Sequence, residues 1–166
     1  MRILGIDPGT ARLGFGIVDA DDHYIAVDFG IIETSAAYPM HHRLLELHTT
    51  LGRLIDQHKP HVMAIEQLFF SRNVTTAIAV GQARGVALLI AAQAGIAVTE
   101  YTPAEIKQAI SGYGNAGKQQ VQAMVQLLLD LESPPHPDDA ADALAVALCH
   151  GQSHAFRDRV STAGTS

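Results

Sequence analysis

The sequence predicts an α/β fold, a five-stranded mixed sheet flanked by helices. Two features carry that reading. The chain opens with β-rich runs joined by turns too short to hold a helix, and such runs pair as an antiparallel meander. Beyond them, segments of helical period alternate with two further β-rich runs, and a helical crossover makes its flanking strands parallel.

The first run, Ile3-Leu4-Gly5-Ile6-Asp7, is apolar on both faces and suits a buried strand. Pro8-Gly9 stops it, which leaves Asp7 at the C-terminal tip, where open α/β sheets gather their chemistry. Leu13–Val18 is a second strand with glycine at alternate positions, a sign that another backbone approaches closely. Asp19–Asp22 is a turn, and Tyr24–Ile32 is the third strand. From Tyr38 to His58, Leu44, Leu47, Leu51, Leu54 and Ile55 form one apolar stripe of a helix that Lys59-Pro60 ends. Val62–Glu66 is the fourth strand. It runs parallel to the third and, after two chain reversals, to the first. Asp7 and Glu66 therefore belong to the same edge of the sheet and meet if their strands are neighbours.

Phe69–Asn73 is an aromatic-basic loop leading to a helix from Val74 to about Ala94, rich in glycine and alanine. Gln82, Arg84 and Gln93 interrupt its apolar character, so it is expected to be a buried or interface helix rather than a membrane span. Gly95 closes it and Ile96–Tyr101 is the fifth strand. Thr102-Pro103-Ala104-Glu105 has the form of a capping box, opening a short helix that carries Lys107. A glycine-rich loop, Ser111–Gly117, delivers Lys118, and Val121, Met124, Val125, Leu128 and Leu129 share one side of the next helix. Pro134–Pro137 breaks the chain before a last helix, Asp138–His150. Residues 1–150 are expected to form one domain, and residues 151–166, which lack an apolar period, a flexible tail.

Composition narrows the function classes. Hydrophobic residues make up 48% and charged residues 17%, which excludes a disordered chain. Cys149 is the only cysteine, so an internal disulfide and a CxxC-type zinc site are excluded and a cytoplasmic setting is expected. Met1-Arg2 leads straight into a strand, with no signal-peptide pattern. Of nine histidines, His41, His42, His48, His58 and His61 cluster on or beside one helix without the spacing of a metal motif, and read as packed or solvated side chains. The net charge of −6 counts mildly against nucleic acid, unless acids are consumed by a metal and the basic residues share one face.

The candidate chemistry lies in the acids. Asp7, Glu66 and carboxylates from the Asp138/Asp139/Asp142 cluster, brought together, would raise one another's pKa unless a cation sat among them. Mg²⁺ suits that need, because it takes hard oxygen ligands and retains water for phosphate chemistry. Asp139 and Asp142 share a helix face at a spacing of three, and Asp138 and Asp142 at a spacing of four, so spacing alone does not choose between them. Asp138 also has a plain reading as a first-turn acid that stabilises the helix dipole. Lys107 and Lys118 read as solvated charges or, for Lys118 beside its glycine-rich loop, as a phosphate contact.

GIDPGT at Gly5–Thr10, AIEQLFF at Ala64–Phe70, GQARG at Gly81–Gly85, Lys107-Gln108 and DAADALA at Asp139–Ala145 together resemble the RuvC family of Holliday-junction endonucleases, members of the RNase H-like superfamily. The match is collinear over residues 1–150. The resemblance implies an RNase H-like fold with Asp7, Glu66, Asp139 and Asp142 as catalytic metal ligands. It implies roles in DNA binding and catalysis for Lys107 and Lys118, and a base contact near the crossover for Phe69. It further implies Mg²⁺, two ions per subunit with Mn²⁺ as a substitute, a homodimer acting on four-way junction DNA, and cooperation with the RuvA–RuvB branch-migration complex. The helix from Val74 to Ala94 is too apolar for free exposure, and its glycines and alanines would let another helix approach closely, so it is the candidate subunit contact; the alternative is that it simply covers its own sheet. An actin-like ATPase or sugar kinase shares a Gly-Ile-Asp-x-Gly-Thr turn, but those proteins duplicate the fold and this chain shows no repeat. A non-catalytic relative would have lost some of the acids, and an RNA-processing RNase H-like nuclease differs only by resemblance.

Overall fold

Strand β1 (Arg2–Asp7) lies at the centre of the sheet, between β2 (Arg12–Ala20), to which it is antiparallel, and β4 (Val62–Glu66), to which it is parallel. The computed structural model describes residues 1–67 and 74–163. With β3 (Tyr24–Glu33) beside β2 and β5 (Ala97–Tyr101) beside β4, the order is β3-β2-β1-β4-β5. The expected five-stranded mixed sheet is present, and β1 and β4 are neighbours. The second strand runs longer than Leu13–Val18. Asp19 pairs across the sheet with Arg2, whose guanidinium donates to both carboxylate oxygens at 2.8 and 2.7 Å.

Helices α1 (Met40–His58) and α2 (Val74–Gln93) cover one face. There Leu47, Leu51 and Ile55 of α1 and Ala83, Ala87 and Ile90 of α2 pack with Leu4, Ile6, Met63 and Ile65 of the sheet. Lys59 ends α1 in the left-handed region at φ 49°, its N–H donating to the Ile55 carbonyl. Residues Thr76–Gln93 are long and apolar enough to cross a membrane by length and composition alone. Their small-residue stripe nevertheless belongs to this core, while Ile78 and Leu89 point outward and are exposed. Ala87 is fully buried, so that side of α2 covers its own sheet.

The opposite face carries α3 (Pro103–Ser111), α4 (Lys118–Leu128) and α5 (Asp138–Ala163). The capping box at Thr102 forms as expected, with reciprocal bonds to Glu105. Helix α5 lies almost against the sheet because β1 and β2 present glycine to it. A Cβ on Gly14 would stand 2.0 Å from the Asp139 carbonyl oxygen, and one on Gly5 2.1 Å from that of Ala143. The alternating glycines of β2 thus mark a close backbone approach, and its partner is α5.

The last helix corrects one expectation. It does not end at His150 but continues to Ala163. Gly151 is a packing residue: a Cβ there would meet the Tyr24 ring at 2.7 Å. His150 is buried and shares a 2.9 Å hydrogen bond with the Tyr101 hydroxyl, which ties this part of the helix to β5.

Candidate active site

The site is assembled from one end of the sheet and the three helices that reach it. Asp7 ends β1 and Glu66 ends β4, and the residues before them, Ile6 and Ile65, are register partners. The glycines beneath α5 lower its first turns onto this edge and bring Asp139 and Asp142 beside Asp7. Burial, then the negative charges of Asp142, Glu66 and Asp139, push the Asp7 carboxyl up to about 7, against a smaller pull from Lys118. Burial and Asp142 likewise raise Glu66, with Lys107 opposing. Asp142 is raised by its own burial, which outweighs the hydrogen bond and charge of Lys118.

Two lysines face these acids across a cleft of about 270 Å³ whose lining includes Glu66, Lys107, Lys118 and Asp142. Lys107 comes from α3 and is half-buried; Lys118 is the first residue of α4. The Lys118 ammonium bridges two carboxylates, Asp142 Oδ2 and Asp138 Oδ2, each at 3.2 Å. Asp138 also accepts a 2.9 Å hydrogen bond from Gln122 Nε2. That bond, then Lys118, holds the Asp138 carboxyl below its ordinary range. Burial lowers the Lys118 pKa, but the bonds to Asp138 and Asp142 outweigh it and the net shift is upward.

The candidate acids therefore separate by environment. Asp142, Glu66 and Asp139 all lie near enough to Asp7 to act on its charge, whereas Asp138, one residue before Asp139 on the helix, bonds Lys118 and Gln122 of α4. Among the described residues, no three His, Cys, Asp or Glu side chains are already drawn around one point closely enough to enclose an ion. Lys118 instead supplies the positive charge that Asp142 meets. A divalent cation nevertheless fits the group chemically. The donors are carboxylate oxygens, and charging partly buried acids against one another is costly until a cation offsets it. Asp7, Glu66, Asp139 and Asp142 are the residues that could hold it.

Several histidines are engaged structurally. His58 pairs with Asp28 at 3.0 Å, His61 accepts the Arg2 backbone N–H at 2.9 Å, and His48 bonds Gln93 at 2.7 Å. Phe69 lies outside the described residues. Gln122 carried no signal in the sequence. Its relation to Asp138 joins two helices, and no fixed sequence spacing announces such a pair.

A family profile described as "Crossover junction endodeoxyribonuclease RuvC" matches residues 3–150. The chain belongs to the RuvC family. A RuvC from Thermomicrobium roseum is 55% identical over 152 residues, covering 92% of this chain and 93% of its own length. One from Desulfitobacterium hafniense is 52% identical and covers 98% and 99%. The Thermus thermophilus RuvC structure superposes with a TM-score of 0.89 at 34% identity, covering 95% of this chain and 97% of that one. A second T. thermophilus RuvC structure, in complex with a Holliday junction substrate, gives 0.87 at 32% identity and covers 94% and 96%. The fold is RNase H-like, as in these resolvases, and the chain is an endodeoxyribonuclease of a family whose members depend on metal.

Proposed function

We propose that this chain resolves four-way DNA junctions, as a homodimer, by hydrolysing one phosphodiester in each of two opposed strands. The observation that carries the proposal is the meeting of Asp7, Glu66, Asp139 and Asp142 at one sheet edge, with Lys107 and Lys118 across the cleft. The similarity to a RuvC solved with junction DNA supports the substrate.

In this reading the acids hold two Mg²⁺ ions, with Mn²⁺ as a substitute. When bound, such ions supply Lewis acidity toward the phosphate and ease deprotonation of the attacking water. The chain's own side chains do the rest. Asp7 and Glu66 are fixed by paired strand ends, so their oxygens are oriented before substrate arrives. Asp139 and Asp142 complete the donor set from a helix that the strand glycines hold at a fixed height. Lys107 and Lys118 offset the charge that develops on the phosphate oxygens. Phe69 gives a base near the crossover a surface on which to stack.

Two chains follow from the substrate. A four-way junction is nearly two-fold symmetric and needs paired cuts, while one chain supplies one acid cluster. The exposed stripe of α2 around Ile78 and Leu89 is the surface assigned to that contact. The enzyme would work in the cytoplasm with the RuvA–RuvB branch-migration complex.

A gel assay comparing four-way junction, linear duplex and RNA–DNA hybrid, with and without Mg²⁺, tests the reading. Paired, Mg²⁺-dependent cuts in the junction alone are expected. Equal cutting of all three substrates would refute junction resolution.

A further inference from the structure

We infer that Asp138, steadied by Gln122, is a positioning residue that keeps Lys118 at the rim of the acid cluster. The inference rests on the proposed metal-dependent site and adds to it a residue outside the four acids. Lys118 and Gln122 are one helical turn apart on α4, and Asp138 and Asp142 are one turn apart on α5. Across the two helices, Lys118 Nζ lies 3.2 Å from both Asp138 Oδ2 and Asp142 Oδ2, while Gln122 Nε2 donates to the other Asp138 oxygen at 2.9 Å. Each Asp138 oxygen thus has its own partner, and the carboxylate is oriented from two directions.

The two partners of Lys118 differ in what else they must do. Asp142 faces Asp7 and Glu66 and is needed for a cation; Asp138 faces α4 and is not. A cation taking Asp142 displaces Lys118 from it. Lys118 is exposed and has a flexible stem, so without a second anchor it would move into solvent. Asp138 holds the ammonium beside the cleft after Asp142 is released, ready for a phosphate oxygen. Without Asp138, the lysine has Asp142 as its single carboxylate partner here and competes with the cation for it.

The role can be read without DNA. Mg²⁺ titrations followed by thermal shift should be run on the wild-type protein, Asp138→Asn, Lys118→Ala and the double variant. With Lys118 present, Asp138→Asn should raise the half-saturating Mg²⁺ concentration about fivefold, and in the Lys118→Ala background by no more than about twofold. Equal shifts in both backgrounds would overturn the inference, because Asp138 would then act on the cation directly, through its charge alone. Gln122→Leu guards against a folding defect in Asp138→Asn; it should shift the midpoint in the same direction, again only when Lys118 is present.

Single-turnover junction cleavage gives the second readout. Asp138→Asn should slow the cleavage step about tenfold, with metal-free junction affinity unchanged, and Asp138→Glu should recover most of the rate. In the Lys118→Ala background the additional loss should vanish, and a fully multiplicative loss would refute the positioning role. If the wild-type protein leaves junctions uncut, the functional proposal fails on its own, and the Mg²⁺ titration still decides the role of Asp138.

Discussion

Asp7 and Glu66 stand side by side because Ile6 and Ile65 are register partners in parallel strands, so each carboxylate is the next residue out from a fixed pair. Neither acid depends on a loop for its position. Strand ends anchored by fully buried residues such as Ile6 and Ile65 give the site a rigid base.

Glu66→Gln keeps size and shape but removes a charged ligand. Cleavage should fall by at least about a hundredfold, while junction binding in the absence of metal survives. Electrophoretic mobility shift beside single-turnover cleavage checks this; undiminished cutting by the folded variant would remove Glu66 from the site.

Asp7 makes stability depend on pH and metal together. Its folded pKa of about 7 lies above the ordinary aspartate value of 3.8, so the folded protein binds an extra proton between them. The associated stability is fully present below about pH 4 and is lost as pH rises through about 7. In chelator at pH 8, Asp7→Asn should be more stable than wild type by on the order of 2 kcal/mol, and the two should converge near pH 4. Denaturant unfolding at both pH values measures the difference. Mg²⁺ should narrow the gap at pH 8 by stabilising the wild type.

Gly14 sets the height of α5. Alanine there places a Cβ 2.0 Å from the Asp139 backbone oxygen, which a flexible side chain cannot absorb. Gly14→Ala should cost about 3 kcal/mol and lift Asp139 away from Asp7, lowering cleavage even in the folded fraction. Gly114→Ala is the control, since its Cβ would meet Ala104 at an ordinary 3.6 Å; its effect should stay within about 0.5 kcal/mol. Equal losses at the two positions by urea denaturation would contradict the close-approach account.

The two sides of α2 give an opposed pair. Ala87 is fully buried, so Ala87→Glu should unfold the chain. Leu89 is 53% exposed, so Leu89→Glu should yield a folded monomer that binds junctions poorly. Circular dichroism and analytical ultracentrifugation separate the two results. A wild-type protein that stays monomeric at micromolar concentration yet makes paired cuts would defeat the dimer.

What could be read in the chain by itself was whatever short-range rules govern. Pro8-Gly9 stops β1 after Asp7, Thr102 caps α3, and the helix between β3 and β4 makes those strands parallel. These consequences depend on neighbouring residues and chain direction, and they were enough to place Asp7 and Glu66 on one edge. The final helix was only half legible. Residues after His150 lack an apolar period, and nothing in the local sequence shows that Tyr24 and Ala20 press against Gly151. Asp138, Asp139 and Asp142 show the same division. Spacing puts Asp142 on a shared face with either neighbour, and the family resemblance selected Asp139. Only the packed structure shows why Asp138 faces away: the height of α5 on Gly5 and Gly14, and the approach of α4, turn adjacent aspartates toward different partners. Tertiary packing decided this because the distances that separate their roles run between elements far apart in the chain.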